Sequence, residues 1–177
     1  MIGTTVGHYR VLALLGRGAM GEVYLAHDER LGRRVALKLL PAAFANDPER
    51  RHHFEREARV LAALNHPGIV GVHGIEREGD LLLLAMEYVD GTPLGALIPS
   101  AGMALDEIVR IGVALAEAVG AAHQQGVVHR DLKPANVMVS AEGVVKVLDF
   151  GLAKIRRPFE SGAGAPVEGS SSATIPG

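Results

Sequence analysis

A short, densely charged segment enclosed by apolar residues most constrains what this chain can fold into. Residues 129–136 have the sequence His-Arg-Asp-Leu-Lys-Pro-Ala-Asn and combine a carboxylate, basic side chains and a carboxamide. Their proline cannot donate to a regular backbone ladder. The apolar runs Gly126–Val128 and Val137–Val139 lie on either side, which predicts a charged loop mounted between two short buried strands. Taken alone, the segment is better explained as a solvated charged turn, and its neighbours change that balance.

A second carboxylate follows at the end of another apolar run. Asp149 begins the sequence Asp-Phe-Gly directly after Val144–Leu148. Asp131, Asn136 and Asp149 could then converge as oxygen ligands and a base. Mg²⁺ prefers oxygen ligands and usually takes only one or two carboxylates, with phosphate among the remaining ligands. The pattern therefore indicates a site for a phosphate-bound metal.

A glycine-rich loop lies upstream, between the predicted strands Tyr9–Leu15 and Val23–Ala26. Its sequence, Gly16-Arg17-Gly18-Ala19-Met20-Gly21, is a weak signal by itself and is equally typical of a plain hairpin. A dinucleotide fold needs a helix after the glycines, and a P-loop needs Gly-Lys-Ser/Thr. Here a strand follows, so the loop caps a hairpin, where glycines let backbone N–H groups approach phosphates.

A lysine and a glutamate on adjoining predicted elements form a candidate ion pair. Lys38 lies in the predicted third strand, Arg33–Leu40. The next helix is expected to begin around Asn46–Pro48, with a capping side chain and an early proline, and to end near His66. Its apolar stripe consists of Phe54, Ala58, Leu61 and Leu64. At about 100° per residue, Glu57 falls inside this stripe. A carboxylate on a packing face is costly unless paired, so Lys38 is its expected partner; a solvent-facing strand lysine is the alternative.

Two further strands, a long helix and a polar tail complete the pattern. The strands are predicted over Ile69–His73 and Leu81–Met86, joined by a polar turn over Glu76–Asp80. A helix is predicted from Leu105 to about Gln124. Its expected core positions are Ile108, Ile111, Leu115, Ala118, Val119 and Ala122. Residues 160–177 are nearly all Gly, Ala, Ser and Pro, from which no core can be built.

Together, the glycine-rich loop, Lys38, residues 129–136 and the Asp-Phe-Gly sequence resemble the motif set of the protein kinase family, in its bacterial Ser/Thr form. The resemblance implies an α+β, protein-kinase-like fold. Its small lobe, residues 9–89, is expected to hold a five-stranded antiparallel sheet and one main helix. Residues 90–152 would form part of a mainly helical large lobe. Residues 153–177 would be a flexible, truncated activation segment with phosphorylation candidates at Ser170, Ser171, Ser172 and Thr174.

The same resemblance implies roles for individual residues. Asp131 would accept or orient the proton of the substrate hydroxyl, Lys133 would steady the transferred phosphoryl group, and Asn136 and Asp149 would hold Mg²⁺. Adenine would bind the backbone of the segment that joins the lobes. The positions assigned to ATP are Leu15, Gly16, Arg17, Gly18, Ala19, Met20, Gly21, Glu22, Val23, Ala36, Lys38, Glu57, Met86, Glu87, Val89 and Met138.

Composition narrows the remaining classes. The chain has 177 residues, a net charge of −2 and no cysteine. It therefore offers no overall basic field for nucleic acid, no polybasic tract for a membrane surface, and no disulfide or thiolate chemistry. No run is long and apolar enough to span a bilayer, so a cytoplasmic location is expected, although segments outside this sequence could anchor a longer protein. The implied partners are ATP and proteins that carry Ser or Thr.

The sequence stops before the Ala-Pro-Glu motif and the later helices of the family. A helix over 105–124 would then lack partners on one face, and we expect this polypeptide by itself to be poorly folded or inactive, as a fragment of a longer kinase. Two other functions stay open. One is a nucleotide-binding or docking module without catalysis, which truncation alone supports because every catalytic side chain is present. The other is a small-molecule phosphotransferase, against which the complete loop motif argues.

Overall fold

The computed structural model describes residues 1–18, 21–40 and 46–150. Within them, one antiparallel sheet has the strand order β1-β2-β3-β4-β6-β5. Its strands are β1 (Thr5–Val6), β2 (Tyr9–Gly18), β3 (Gly21–Asp28), β4 (Arg33–Leu40), β5 (Val72–Glu78) and β6 (Leu81–Glu87). The five expected strands are present, and the short β1 is an addition that pairs with β2.

The position of β5 differs from the predicted strand Ile69–His73. Ile69 instead forms an isolated bridge to Val147, in the other part of the molecule. Glu76 and Glu78, expected in a turn, pair with Leu83 and Leu81 of β6. Backbone pairing with the apolar β6 therefore overrides the polar composition of this segment.

The sheet curls until β2 and β5 meet. The Tyr9 hydroxyl donates a hydrogen bond to Glu76 Oε1 at 3.0 Å, although the two strands lie far apart in the sheet order. Burial, followed by the hydrogen bond to Glu76, raises the pKa of Tyr9. The enclosed face holds an apolar cluster. It consists of Val6, Tyr9, Val11, Tyr24, Ala26, Val35, Leu37, Leu39, Leu83 and Ala85.

Helix α1 (Pro48–Ala62) covers the other face of the sheet. Asp47 caps it by accepting from the backbone N–H groups of Glu49 and Arg50, and Pro48 occupies the first turn, as the sequence predicted. Phe54, Ala58 and Leu61 are buried in the same apolar cluster as residues of β4 and β6. This stripe fixes which face of α1 turns inward.

The second part of the molecule begins after β6. It contains β7 (Gly91–Pro93), α2 (Leu94–Leu97), α3 (Leu105–Gln124), a 3₁₀ turn (Pro134–Asn136), β8 (Val137–Ser140) and β9 (Val145–Val147). β7, β8 and β9 form a separate three-stranded sheet. Val127 and Val128, expected in a strand before the charged loop, have no regular structure. Among the described residues, no helix combines the length and apolar composition needed to cross a bilayer.

Helix α3 packs through one face only. Ile111, Ala118 and Ala122 are buried, whereas Ile108, predicted as core, is 50% exposed because the described elements cover only the opposite face of this turn. Other apolar side chains exposed on the helix are Leu105, Val109 and Val113. Ala118 and Ala122 belong to the same buried cluster as α1, so one continuous core joins the two parts.

Candidate active site

The charged loop is fixed by short backbone contacts. The Asn136 N–H donates to the carbonyl of Lys133 at 2.8 Å, closing the 3₁₀ turn that precedes β8. The Asn136 side-chain amide donates to the Asp131 carbonyl at 2.9 Å. Lys133 Nζ lies 3.0 Å from Asp131 Oδ2. The loop thus brings a carboxylate, an ammonium and an amide to one place.

His129 connects this loop to the segment that carries Asp149. The ring is 3% exposed. Its Nε2 lies 2.8 Å from the Leu148 carbonyl, and its Nδ1 lies 3.3 Å from the backbone nitrogen of Asp131. A carbonyl can only accept and a backbone N–H can only donate, so the neutral tautomer with hydrogen on Nε2 fits both partners. His129 was not assigned a role from the sequence; its place directly before Arg-Asp, after an apolar run, was the available signal.

Asp149 stands at the end of β9 beside Asn136. The Leu148 N–H donates to the Asn136 carbonyl at 2.9 Å, so the two predicted metal ligands belong to adjacent backbones. Asp149 and Arg130 both adopt left-handed backbone conformations, with φ of 49° and 63°. Such conformations cost free energy in residues other than glycine and persist where the surroundings impose them. The two loops are therefore held in place by their surroundings.

The predicted ion pair between Lys38 and Glu57 is not formed in this structure. Lys38 Nζ lies 3.0 Å from Asp149 Oδ1, and the lysine side chain is only 5% exposed. Within the described residues, Glu57 Oε2 is buried and has no hydrogen-bond partner. Glu57 lines a smaller cavity between α1 and the charged loop, together with Arg56, Arg130 and Phe150. Helical periodicity placed Glu57 correctly on the inner face, but it could not reveal that Asp149 competes for the ammonium.

One cavity of about 750 Å³ gathers most of the predicted site. The predicted residues that line it are Leu15, Gly16, Arg17, Gly18, Gly21, Val23, Ala36, Lys38, Met86, Glu87, Val89, Asp131, Lys133, Asn136, Met138 and Asp149. The structure adds Val70, Tyr88, Gly91, Pro93, Ala135 and Leu148. These additions come from segments whose proximity depends on the folding of the two parts against each other. Ala19 and Met20 lie outside the described residues, as do Ser170, Ser171, Ser172 and Thr174.

Glu22 is the second predicted position that does not line this cavity. Its carboxylate accepts from the Tyr24 hydroxyl at 2.6 Å and pairs with Arg17 Nε at 2.7 Å. The hydrogen bond from Tyr24, with help from the Arg17 charge, lowers the pKa of Glu22 despite some desolvation. Glu22 therefore supports the β2–β3 hairpin through these contacts.

The donor set suits a hard cation bound together with phosphate. Asn136 and Asp149 offer an amide and a carboxylate oxygen, which match the preference of Mg²⁺. In the described part of the chain, no group of three or more His, Cys, Asp or Glu side chains is placed to hold a metal by itself. Lys38 and Lys133 line the same cavity, so anionic oxygens entering it would meet both ammonium groups.

Comparisons with known proteins agree with this arrangement. A family model described as protein kinase domain matches residues 9–166. A probable serine/threonine-protein kinase of Streptomyces coelicolor is 45% identical over 153 residues, covering 84% of this chain and 23% of that protein. The serine/threonine-protein kinase PknA of Mycobacterium tuberculosis is 44% identical over 164 residues, covering 86% of this chain and 37% of that protein.

A solved structure shows the same fold. The crystal structure of the Mycobacterium tuberculosis PknI kinase domain matches with a TM-score of 0.74 and 39% sequence identity, over 87% of this chain and 62% of that chain. The chain thus spans between about a quarter and somewhat over a third of the two curated relatives, and less than two thirds of the solved domain.

Proposed function

The chain belongs to the protein kinase family and resembles its bacterial Ser/Thr members, and from that premise we propose that it transfers the γ-phosphoryl group of ATP to Ser or Thr hydroxyls of proteins. The observation that carries the proposal is the convergence of Lys38, Asp131, Lys133, Asn136 and Asp149 on one cavity. These side chains come from both parts of the fold. A cytoplasmic location, where ATP is available, is part of the proposal.

The apolar part of the cavity would hold the adenine ring. Val23 and Ala36 come from β3 and β4 of the six-stranded sheet, and Met138 comes from β8 on the opposite side of the cavity. Met86, only 7% exposed, closes the inner end. Glu87 and Val89 would offer backbone groups to the ring edge. An apolar slot with a few oriented polar groups is typical of cofactor sites.

The polar part would hold the phosphates. Gly16 and Gly18 line the cavity on the β2 side, where the lack of a Cβ permits close approach of backbone N–H groups. Lys38 would contact the phosphates, and Asn136 and Asp149 would hold Mg²⁺, which, when bound, would offset phosphate charge. Phosphoryl transfer depends mainly on such positioning and electrostatic stabilisation.

Lys38 and Asp149, which contact each other in this structure, are also the groups that the phosphates and Mg²⁺ would contact. Lys38 Nζ and Asp149 Oδ1 lie 3.0 Å apart and form an ion pair. Phosphate oxygens would compete for Lys38 and a divalent cation would compete for Asp149. Nucleotide binding would therefore separate the pair, which would free Lys38 to contact the phosphates and to pair with Glu57.

Asp131 would orient the acceptor hydroxyl and take its proton. Its carboxylate is held by Lys133, and its backbone is held by His129 and Asn136. Lys133 also lines the cavity and would stabilise charge on the transferred phosphoryl group. The loop therefore supplies both the proton acceptor and a fixed cation.

The proposal is tested by phosphate transfer in the full-length protein. With γ-labelled ATP and a generic protein substrate, Asp131→Asn should lower kcat by about 10²–10⁴-fold, because a positioned base contributes about that much, while ATP affinity stays close to that of the wild type. Asp80→Asn, in the exposed β5–β6 turn, is the matched control. Label on phosphoserine or phosphothreonine is expected. Full activity of Asp131→Asn, or label found only on small acceptors, would contradict the proposal.

A further inference from the structure

A second ion pair crosses the molecule behind the cavity. Lys146 Nζ, on β9, lies 2.7 Å from Glu87 Oε1 and 2.9 Å from Oε2, at the end of β6. The two side chains are only 18% and 34% exposed. The pair therefore joins β6 of the six-stranded sheet to β9, the strand that leads into Asp149.

Glu87 is also fixed by a third segment. The Gly71 N–H donates to Glu87 Oε2 at 3.2 Å, and the Glu87 N–H donates to the Gly71 carbonyl at 2.8 Å. The same connecting segment is bound to β9, since the Val70 N–H donates to the Val147 carbonyl at 3.0 Å. The Val147 N–H in turn donates to Gly68 at 2.8 Å. The side-chain pair thus closes a ring of contacts among β6, the 68–71 segment and β9.

The strand register explains why Lys146 points toward Glu87. Val145 and Val147 are buried, at 4% and 0% exposure, and side chains alternate across a strand, so Lys146 projects from the opposite face. Its partner on β8 is Met138, a residue that lines the cavity. Lys146 therefore lies beside the cavity wall and close in sequence to Leu148 and Asp149.

An isolated surface ion pair would have little effect, because exposed pairs contribute only about 0–1 kcal/mol. This pair differs in three respects. Both side chains are largely covered, both carboxylate oxygens contact the ammonium, and one oxygen also accepts a backbone N–H. A charged hydrogen-bond network of this kind fixes the relative position of its backbones.

We propose that Lys146 is a positioning residue for nucleotide binding, which holds the Glu87 segment and the Asp149 strand at the separation that the nucleotide requires. The inference rests on the proposed function, since it concerns the same cavity. Lys146 itself lies outside the residues that line the cavity. Its effect is exerted through Glu87, whose backbone would face adenine, and through β9, which orients Asp149.

The test is a double-mutant cycle on nucleotide affinity in the full-length protein. The Kd of a fluorescent ATP analogue is measured for the wild type, Lys146→Met, Glu87→Gln and the double variant. Each single variant should weaken binding by about three- to tenfold, and the double variant should be no weaker than the weaker single variant, because directly contacting residues are not additive. Lys146→Arg, which keeps the cation, should restore most of the affinity.

Arg110→Met is the matched control. Arg110 Nη1 donates to the Gly143 carbonyl at 2.8 Å, so this variant also removes a cation that contacts the β8–β9 hairpin, but at the end far from Glu87. It should leave Kd unchanged. Thermal unfolding of every variant shows whether a change in Kd merely follows a loss of folded protein.

The outcomes separate the two proposals. If the wild type binds no ATP analogue, the proposed function fails. If the wild type binds but Lys146→Met binds as tightly or more tightly, the positioning role is wrong and the proposed function stands. Additive effects of Lys146→Met and Glu87→Gln, or equal weakening by Arg110→Met, would also overturn the positioning role.

Discussion

At the scale of single residues, the glycines around the β2–β3 hairpin differ in whether the fold sterically requires glycine. Gly21 has a φ of 112°, and a Cβ built on it would lie 1.9 Å from the carbonyl oxygen of Leu39 on β4. Within the described residues, a Cβ on Gly16 or Gly18 meets no atom within 4 Å, and neither has a left-handed φ. The fold therefore requires glycine at position 21, whereas the described structure gives no steric reason for it at positions 16 and 18, where the proposed phosphate contacts would supply one.

This difference predicts that one alanine substitution lowers stability and another lowers nucleotide affinity. Gly21→Ala should lower the free energy of unfolding by about 1–3 kcal/mol or more, because it combines an unfavourable φ with a backbone clash. Gly18→Ala should leave stability almost unchanged and should weaken binding of an ATP analogue. Urea denaturation and nucleotide titration of both variants provide the check. A stable Gly21→Ala protein, or a Gly18→Ala protein with intact affinity, would contradict the assignment.

The backbone at Arg130 and Asp149 shows what sequence patterns leave out at this scale. Both residues have positive φ, and neither is a residue type that signals it as glycine does. The sequence predicted that Asp131, Asn136 and Asp149 lie close together, and the structure brings all three to one cavity. It did not identify His129 as the link between them, because its two hydrogen bonds are to backbone atoms of separate segments.

At the scale of elements, the turn between β3 and β4 depends on a buried carboxylate. Asp28 is 2% exposed, and its Oδ1 accepts from the N–H groups of Arg30 and Leu31, both at 3.0 Å. Burial by itself would raise the pKa of Asp28, but the hydrogen bonds from Leu31 and Arg30, together with the charges of His8 and Arg33, lower it overall. The ionised form is thus the one that the folded turn favours.

This lowered pKa predicts a dependence of stability on pH. Because the folded pKa lies below the ordinary value of 3.8, ionised Asp28 stabilises the fold above about pH 4, and the contribution declines as the pH falls through the folded pKa. In urea denaturation at a series of pH values, Asp28→Asn should be less stable than the wild type at neutral pH, with a gap that narrows toward pH ~3. Asp80→Asn should show no comparable narrowing. A gap that is constant with pH would show that the charge of Asp28 does not contribute.

Elements with strong local signals were predicted well, and elements defined by distant pairing were not. The cap at Asp47, the proline after it and the stripe around Phe54 were enough to locate α1. The stop of α3 was also predicted, since Gly126 adopts a φ of 72° just after the helix. The predicted position of β5 was wrong because the strand is defined by its pairing with β6 and by the bridge from Ile69 to Val147. Neither contact leaves a local pattern in the sequence.

At the scale of the whole molecule, the two parts share one core and one cavity, and charged side chains from both parts pair within that cavity. Lys38 from β4 contacts Asp149 beyond β9, while Glu57 on α1 faces a different cavity. The Lys38–Glu57 pair expected from the sequence is therefore not the pair that this structure forms. Whether Asp149 or Glu57 pairs with Lys38 depends on how α1, β4 and the Asp149 segment pack together, which no pattern within one element could predict.

If ATP displaces Asp149 from Lys38, as proposed above, Glu57→Gln should lower activity without lowering stability. Glu57 is partly buried, and its Oε2 has no hydrogen-bond partner in the described structure, so removing its charge should leave the free energy of unfolding unchanged or higher, because a buried carboxylate oxygen without a partner is costly. Phosphate transfer should fall by about tenfold or more, a loss of about 1.4 kcal/mol in transition-state stabilisation, because Lys38 would lack its partner once ATP displaces Asp149. Glu55→Gln on the same helix, where the carboxylate contacts Arg51 and Arg59 at 3.9 and 3.8 Å, is the control and should keep full transfer activity. Loss of stability without loss of transfer activity in Glu57→Gln would mean that Glu57 serves only the packing of α1, and that Lys38 needs no second partner.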